Sequence, residues 1–209
     1  MKHLKIDEFK QNITDGSVVI DTRDAVEFTQ GFVTGAIFIG LEGNFEEWAA
    51  ALLPREKSII LIAPVGKEEV AEKKLFQIGF LKIEGFLQGG FDTWLKAGER
   101  VDMVIDIEPD ELGMDLPFDN HIVVVDVRSF DEYSKSHVKD SMNLPLGEMN
   151  DVAQIADLEE NQNLYIYSES GYRSVIAASL LKREGYYSVR NILGGFGNIQ
   201  HEKSIPLQK

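Results

Sequence analysis

Asp21-Thr22-Arg23 and Asp126-Val127-Arg128 stand 105 positions apart, and Gly89-Gly90 and Gly194-Gly195 repeat the same interval. A fixed period of this kind marks a duplicated unit. The same register sets Glu27 over Glu132, Val33 over Val138, Leu75 over Leu180 and Ala63 over Ser168. Each Asp-x-Arg follows a short apolar β-branched run, Ser17 to Ile20 in the first copy and His121 to Val125 in the second. Such runs suit strands buried on both faces of a parallel sheet. Further strands are expected at Ser58 to Ile62 and Leu164 to Tyr167. Phe45 to Leu53 is apolar at helical spacing and is closed by Pro54. Lys67 to Gly79 predicts a helix whose Val70, Ala71, Leu75, Phe76 and Ile78 share one stripe, and Ser174 to about Arg183 predicts its counterpart, with Gly185 just beyond. Strands alternating with helices imply right-handed crossovers. The expected fold class is α/β, each copy a mostly parallel sheet flanked by helices.

Gly98 to Asp102 closes the first copy, and the acidic stretch Asp106-Ile107-Glu108-Pro109-Asp110 opens the second. The expected domains are therefore 1–102 and 103–209. Asp7-Glu8-Phe9 and Asp110-Glu111-Leu112 read as the same short opening helix. A net charge of −14 argues against a nucleic-acid partner, which would need clustered Lys and Arg. Met1-Lys2-His3-Leu4-Lys5 runs into charged sequence without an apolar h-region, and no run of about 18 apolar residues exists. The expectation is a protein neither secreted nor spanning a membrane. Zero cysteines exclude disulfides and thiolate metal sites, which suits a reducing, cytoplasmic setting and equally a replaced cysteine.

The stretch that carries chemistry is Tyr165-Ile166-Tyr167-Ser168-Glu169-Ser170-Gly171-Tyr172-Arg173-Ser174, a strand turning through a short loop into a helix. Loop amides and a helix N-terminus converge on one point there and favour an anion. Gly171 permits the tight turn, Arg173 adds a positive fork, and Ser174 is placed to cap the helix. The plainer alternative is a strand-to-helix turn with a capping serine. In the first copy Ala63-Pro64-Val65-Gly66-Lys67-Glu68 occupies the loop, with Ala63 at the Ser168 position and Glu68 at the Arg173 position. Glu68 and Glu69 there suit the first turn of a helix, where the dipole stabilises them.

Asp126-Val127-Arg128, Glu132, Ser136 to Leu146, the loop at 168–174 and Asn191-Ile192-Leu193-Gly194-Gly195-Phe196 together resemble the rhodanese-like (sulfurtransferase) family. Asp21, Arg23, Glu27, Gly35-Ala36 and Gly89 to Trp94 carry the likeness in the first copy. Phe45-Glu46-Glu47-Trp48 and Gly171 to Leu181 look like the paired rhodanese domains that follow a metallo-β-lactamase-fold domain in persulfide dioxygenase-like fusion proteins. The resemblance implies a cysteine at the head of the loop that takes sulfane sulfur as a persulfide and passes it on. Ser168 stands at that position here. A hydroxyl cannot hold the persulfide, so the resemblance implies a sulfurtransferase scaffold without its carrier atom, by natural loss or by replacement. Arg173 maps onto the closing arginine. The six-residue span from Ser168 to Arg173 points to sulfur, since family phosphatases use a loop one residue longer.

Asp21, Arg23, Asp126 and Arg128 are read as scaffold that holds loops by ion pairing. His3, His121, His137 and His201 lack ligand spacing, so no metal or other cofactor is expected. Gly89-Gly90 and Gly194-Gly195 are turns rather than phosphate loops, and Phe91 and Trp94 are core anchors, with Ile199 at the Trp94 position. Two functions stay open. One is a sulfurtransferase module for a sulfane-sulfur donor, inactive as written. The other is a non-catalytic regulatory module binding a small oxyanion, a protein or the persulfide dioxygenase-type domain that the resemblance implies.

Overall fold

Val18 to Asp21 pairs in parallel with Ile59 to Ile62, and Ile122 to Asp126 pairs in parallel with Asn163 to Tyr167. These four strands are the centres of two like sheets. The computed structural model describes residues 1–156 and 158–209 and divides into two units, Met1–Met103 and Val104–Lys209. Unit 1 runs β1 (His3–Leu4), α1 (Ile6–Thr14), β2 (Val18–Asp21), α2 (Ala25–Gln30), β3 (Phe32–Val33), β4 (Ile37–Phe38), α3 (Phe45–Leu52), β5 (Ile59–Ile62), α4 (Glu68–Gln77), β6 (Ile83–Leu87), α5 (Gly90–Lys96) and β7 (Val101–Asp102). Unit 2 runs β8 (Ile105–Ile107), α6 (Pro109–Asp115), β9 (Ile122–Asp126), α7 (Phe130–Tyr133), β10 (His137–Val138) and β11 (Met142–Asn143). After two short 3₁₀ turns come β12 (Asn163–Tyr167), α8 (Tyr172–Arg183), β13 (Val189–Ile192), α9 (Gly195–Ile199) and β14 (Leu207–Gln208).

The sheet of unit 1 has the order β1-β6-β5-β2-β4, and that of unit 2 the matching order β8-β13-β12-β9-β11, with every pairing parallel. A small antiparallel pair, β3 with β7 and β10 with β14, repeats as well. One detail departs from the fixed interval. Leu4 pairs with Leu87 while Ile107 pairs with Ile192, so the opening strands are offset by two positions from the 105-residue register. The chain absorbs this difference before the first long strand, and the opening helix keeps the shifted spacing.

Central strands are apolar because helices cover both faces. Val18 to Asp21 and Ile59 to Ile62 are wholly buried, and each Val, Leu or Ile so buried contributes roughly 1.5–3 kcal/mol. In unit 2, Tyr165, Tyr167, Leu112, Phe196 and Ile199 share one core cluster. Trp94 is buried, as expected of an anchor, and Ile199 fills the equivalent place. Phe91 is only partly buried and carries the Arg23 guanidinium on its face at 4.1 Å, which makes it a platform for that arginine.

The expected apolar stripe of α4 is narrower than its sequence implies. Ala71 and Leu75 are buried, but Val70 is 43% and Phe76 62% exposed. At the aligned positions of α8, Val175 and Leu181 are buried. Helix α8 also begins at Tyr172, two residues ahead of the expected start. Gly171, at φ 105°, takes the turn that the sequence had assigned to a capping Ser174, and Ser174 falls inside the first helical turn.

Candidate functional site

Parallel pairing sets Tyr167 opposite Asp126, so the chain leaves β12 and β9 side by side at their carboxyl ends. In open α/β sheets this is where ligands bind. Val127 N donates to Tyr167 O at 3.0 Å and fixes the two exits. The loop then lies against the start of α9. Phe196 N donates to Ser168 O at 2.7 Å and Gly197 N to Glu169 O at 3.0 Å.

Ser168 is 1% exposed, and its Oγ accepts from the Gly171 amide at 3.1 Å. The Ser174 Oγ lies 3.5 Å away, a distance too long for a strong bond. Ser174 Oγ is itself 2.6 Å from Asn191 Oδ1 and 2.8 Å from Gly171 O, and Asn191 Nδ2 donates to Asp106 at 2.7 Å. The hydroxyl expected to cap the helix instead ties the loop to β13. Glu169 and Ser170 are exposed at the rim, and burial pushes the Tyr172 phenol upward.

Asp126 and Arg128 form a buried clasp. Arg128 Nε and Nη2 meet both Asp126 carboxylate oxygens at 2.7–3.1 Å, Nη2 also donates to Ser136 O, and the guanidinium lies 3.9 Å from the Phe196 ring centre. Unit 1 repeats this arrangement through Asp21, Arg23, Gly31 O and Phe91. The clasp is thus present in both copies, whatever their loops contain.

Unit 2 adds two ion pairs that join the loop to the segment after β9. Arg173 grips Glu132 with two bonds, Nη1 to Oε2 at 2.8 Å and Nη2 to Oε1 at 2.7 Å. Arg128 Nη1 reaches Glu169 Oε2 at 3.2 Å. Glu132 is held well below the usual carboxylate range, at about 2, chiefly by Arg173 and further by Ser129, against a smaller opposing effect of burial. Ser129 and Glu132 form a reciprocal cap on α7. The Ser-x-x-Glu spacing is a readable signal for that cap, while nothing in the spacing of Arg173 marks it as a partner of the same carboxylate.

The loop of unit 1 is built differently. Ala63 is buried, Val65 is 87% exposed, and Gly66 turns the chain at φ 82° into α4. An open groove of about 440 Å³ lies against it, edged by Glu68 and Glu69 with His3 and Phe86. Both aligned partners, Glu27 and Glu68, are acidic, so the arginine clamp of unit 2 has no counterpart.

The rhodanese-like domain family model matches residues 5–97 and 108–202. A Bacillus subtilis protein named as a sulfur carrier, YrkF, is 31% identical over 99 residues, covering 47% of this chain and 52% of that protein. The chain thus spans about half the length of that relative. The thiosulfate sulfurtransferase GlpE of Coxiella burnetii is 31% identical over 75 residues, covering 36% of this chain and 68% of that one. Among solved structures, the rhodanese-like domain of the Anabaena Alr3790 protein aligns at a TM-score of 0.46 with 20% identity, covering 51% of this chain and 80% of that one. With both halves of the chain matched, this protein belongs to the rhodanese-like domain family, as a tandem pair.

Proposed function

We propose that unit 2 is a sulfane-sulfur-handling module of the sulfurtransferase kind whose carrier position is held by Ser168, and that the chain as written carries no sulfur. The observation behind this reading is the setting of the Ser168 Oγ. It is buried at the head of the loop, receives the Gly171 amide, and sits over a helix N-terminus. A thiolate at that point would gain from the same amide and the same dipole. A serine hydroxyl is far less acidic and cannot form a persulfide. Unit 1, with Ala63 at the aligned position, serves as scaffold and interface. The resemblance nominates a persulfide dioxygenase-type metallo-β-lactamase-fold domain as the neighbour in sulfur transfer. The second reading, a regulatory module that binds without catalysis, is favoured by the ordered setting of the Ser168 hydroxyl, since the pocket keeps its frame without the reactive atom.

Ser168→Cys tests the proposal. Its thiolate would attack the outer sulfur of cysteamine persulfide, the donor S–S bond would break, and cysteamine would leave as the thiol with the persulfide proton. Mass spectrometry should show one added sulfur on Ser168→Cys and none on the native chain or Ser168→Ala. A Ser168→Cys protein that folds but gains no sulfur would leave only the binding reading.

A further inference from the structure

We propose that Glu132 and Glu169 are specificity-determining residues that close the loop of unit 2 to anionic donors, so that the pocket takes sulfur presented on a thiol carrier and refuses thiosulfate. The identity of the donor rests on the sulfur-handling reading above; the charge argument does not.

Read from the sequence alone, Arg173 is the fork that would hold an oxyanion. In the folded chain that fork is filled by Glu132 through two short bonds. The neighbouring guanidinium of Arg128 is filled as well, with Asp126 on one edge, Glu169 on the other and the Phe196 ring on its face. Two arginines therefore meet three carboxylates around one loop, an excess of one negative charge. The Gly171 amide, which a cradle would aim at a ligand, is spent on the Ser168 Oγ. A dianion entering here would have to displace a carboxylate from an arginine and then sit beside it. Low local dielectric makes that contact costlier than in water. The chain's net charge of −14 acts in the same direction at longer range.

The two carboxylates differ in how they can be probed. The Glu169 side chain is 53% exposed and lies on the loop itself, so its neutralisation leaves the core untouched. Glu132 also caps α7, so its neutralisation tests the same idea through a second pair. Either Glu→Gln change returns one positive charge to the loop. Against a dianion, one unit of charge at this range should strengthen binding about tenfold.

The experiment is an isotope-labelled NMR titration at constant ionic strength with sodium thiosulfate and, separately, sodium sulfate, on the native chain, Glu169→Gln and Glu132→Gln. The native chain should give no saturable shift at the amides of residues 169–174. Glu169→Gln and Glu132→Gln should give saturable shifts there, at least about tenfold tighter than any native response. In the Ser168→Cys background the thiolate would attack the outer sulfur of thiosulfate, the S–S bond would break and sulfite would leave; adding Glu169→Gln should raise this uptake about tenfold relative to uptake from cysteamine persulfide. Saturable thiosulfate binding by the native chain, equal to that of both variants, would overturn the proposal. An unchanged donor ratio would do the same. Failure of Ser168→Cys to accept sulfur from either donor would count against the sulfur-handling reading, while the titration on the native chain would still decide the charge argument.

Discussion

Gly195→Ala is expected to damage unit 2 far more than the aligned change, Gly90→Ala, damages unit 1. Both glycines begin the last helix of their unit at positive φ, +57° and +62°. An alanine in that left-handed region costs about 1–2 kcal/mol at either place. The surroundings then separate the two. A Cβ on Gly90 would meet its nearest listener, the Ala63 carbonyl oxygen, at 3.6 Å, an ordinary contact. A Cβ on Gly195 would fall 2.1 Å from the Ser168 carbonyl oxygen and 2.9 Å from the Glu169 carbonyl carbon. Loop and helix must part by roughly an ångström or more, since carbon contacts are optimal at about 3.5–4.0 Å. The bonds from Phe196 N to Ser168 O and from Gly197 N to Glu169 O would break, at about 1 kcal/mol each. The expected losses are about 1–2 kcal/mol for Gly90→Ala and about 3–4 kcal/mol for Gly195→Ala. Both tryptophans, Trp48 and Trp94, lie in unit 1 and all six tyrosines in unit 2. Tryptophan fluorescence in urea therefore follows unit 1, and amide hydrogen exchange along β12 follows unit 2. Equal losses in the two variants would refute the close approach of loop and helix in unit 2.

Glu132 should titrate near pH 2 in the folded chain, against about 4.5 unfolded. Its folded pKa is depressed, so the stability it contributes is present above about pH 4.5 and is lost as pH falls toward 2. The side chain is 31% exposed, and solvent screening limits that contribution to about 1 kcal/mol. Carboxyl-carbon NMR should show the low midpoint, and Arg173→Gln should return it toward 4.5; a native midpoint already near 4.5 would contradict the pairing. Asp126→Ala should destabilise unit 2 by about 3–5 kcal/mol, because it leaves the Arg128 guanidinium buried without its main acceptor. Asp126→Ala with Arg128→Met should recover most of that loss in hydrogen exchange. No recovery would mean that the two residues act independently.

The duplication, the α/β class and the place of the loop are legible in the order of residues alone. Those features are short-range: β-branched runs before Asp-x-Arg, glycines at turns, and a fixed interval that survives in residue identities. Periodicity was less informative for α4, whose Val70 and Phe76 lie in the predicted stripe yet face solvent. Burial depends on what packs above a helix as well as on its own pattern.

How the charges of the site are shared is set by the folding of distant segments onto one sheet edge. Arg173 and Glu132 are 41 positions apart, as are Arg128 and Glu169. They meet because β9 and β12 are parallel neighbours, which brings the segments after both strands to the same edge of the sheet. From composition and spacing Arg173 is a cation open to an anion; in the fold it is one half of an ion pair. A charge in a sequence has a sign, and its availability depends on the partner that the sheet order sets beside it.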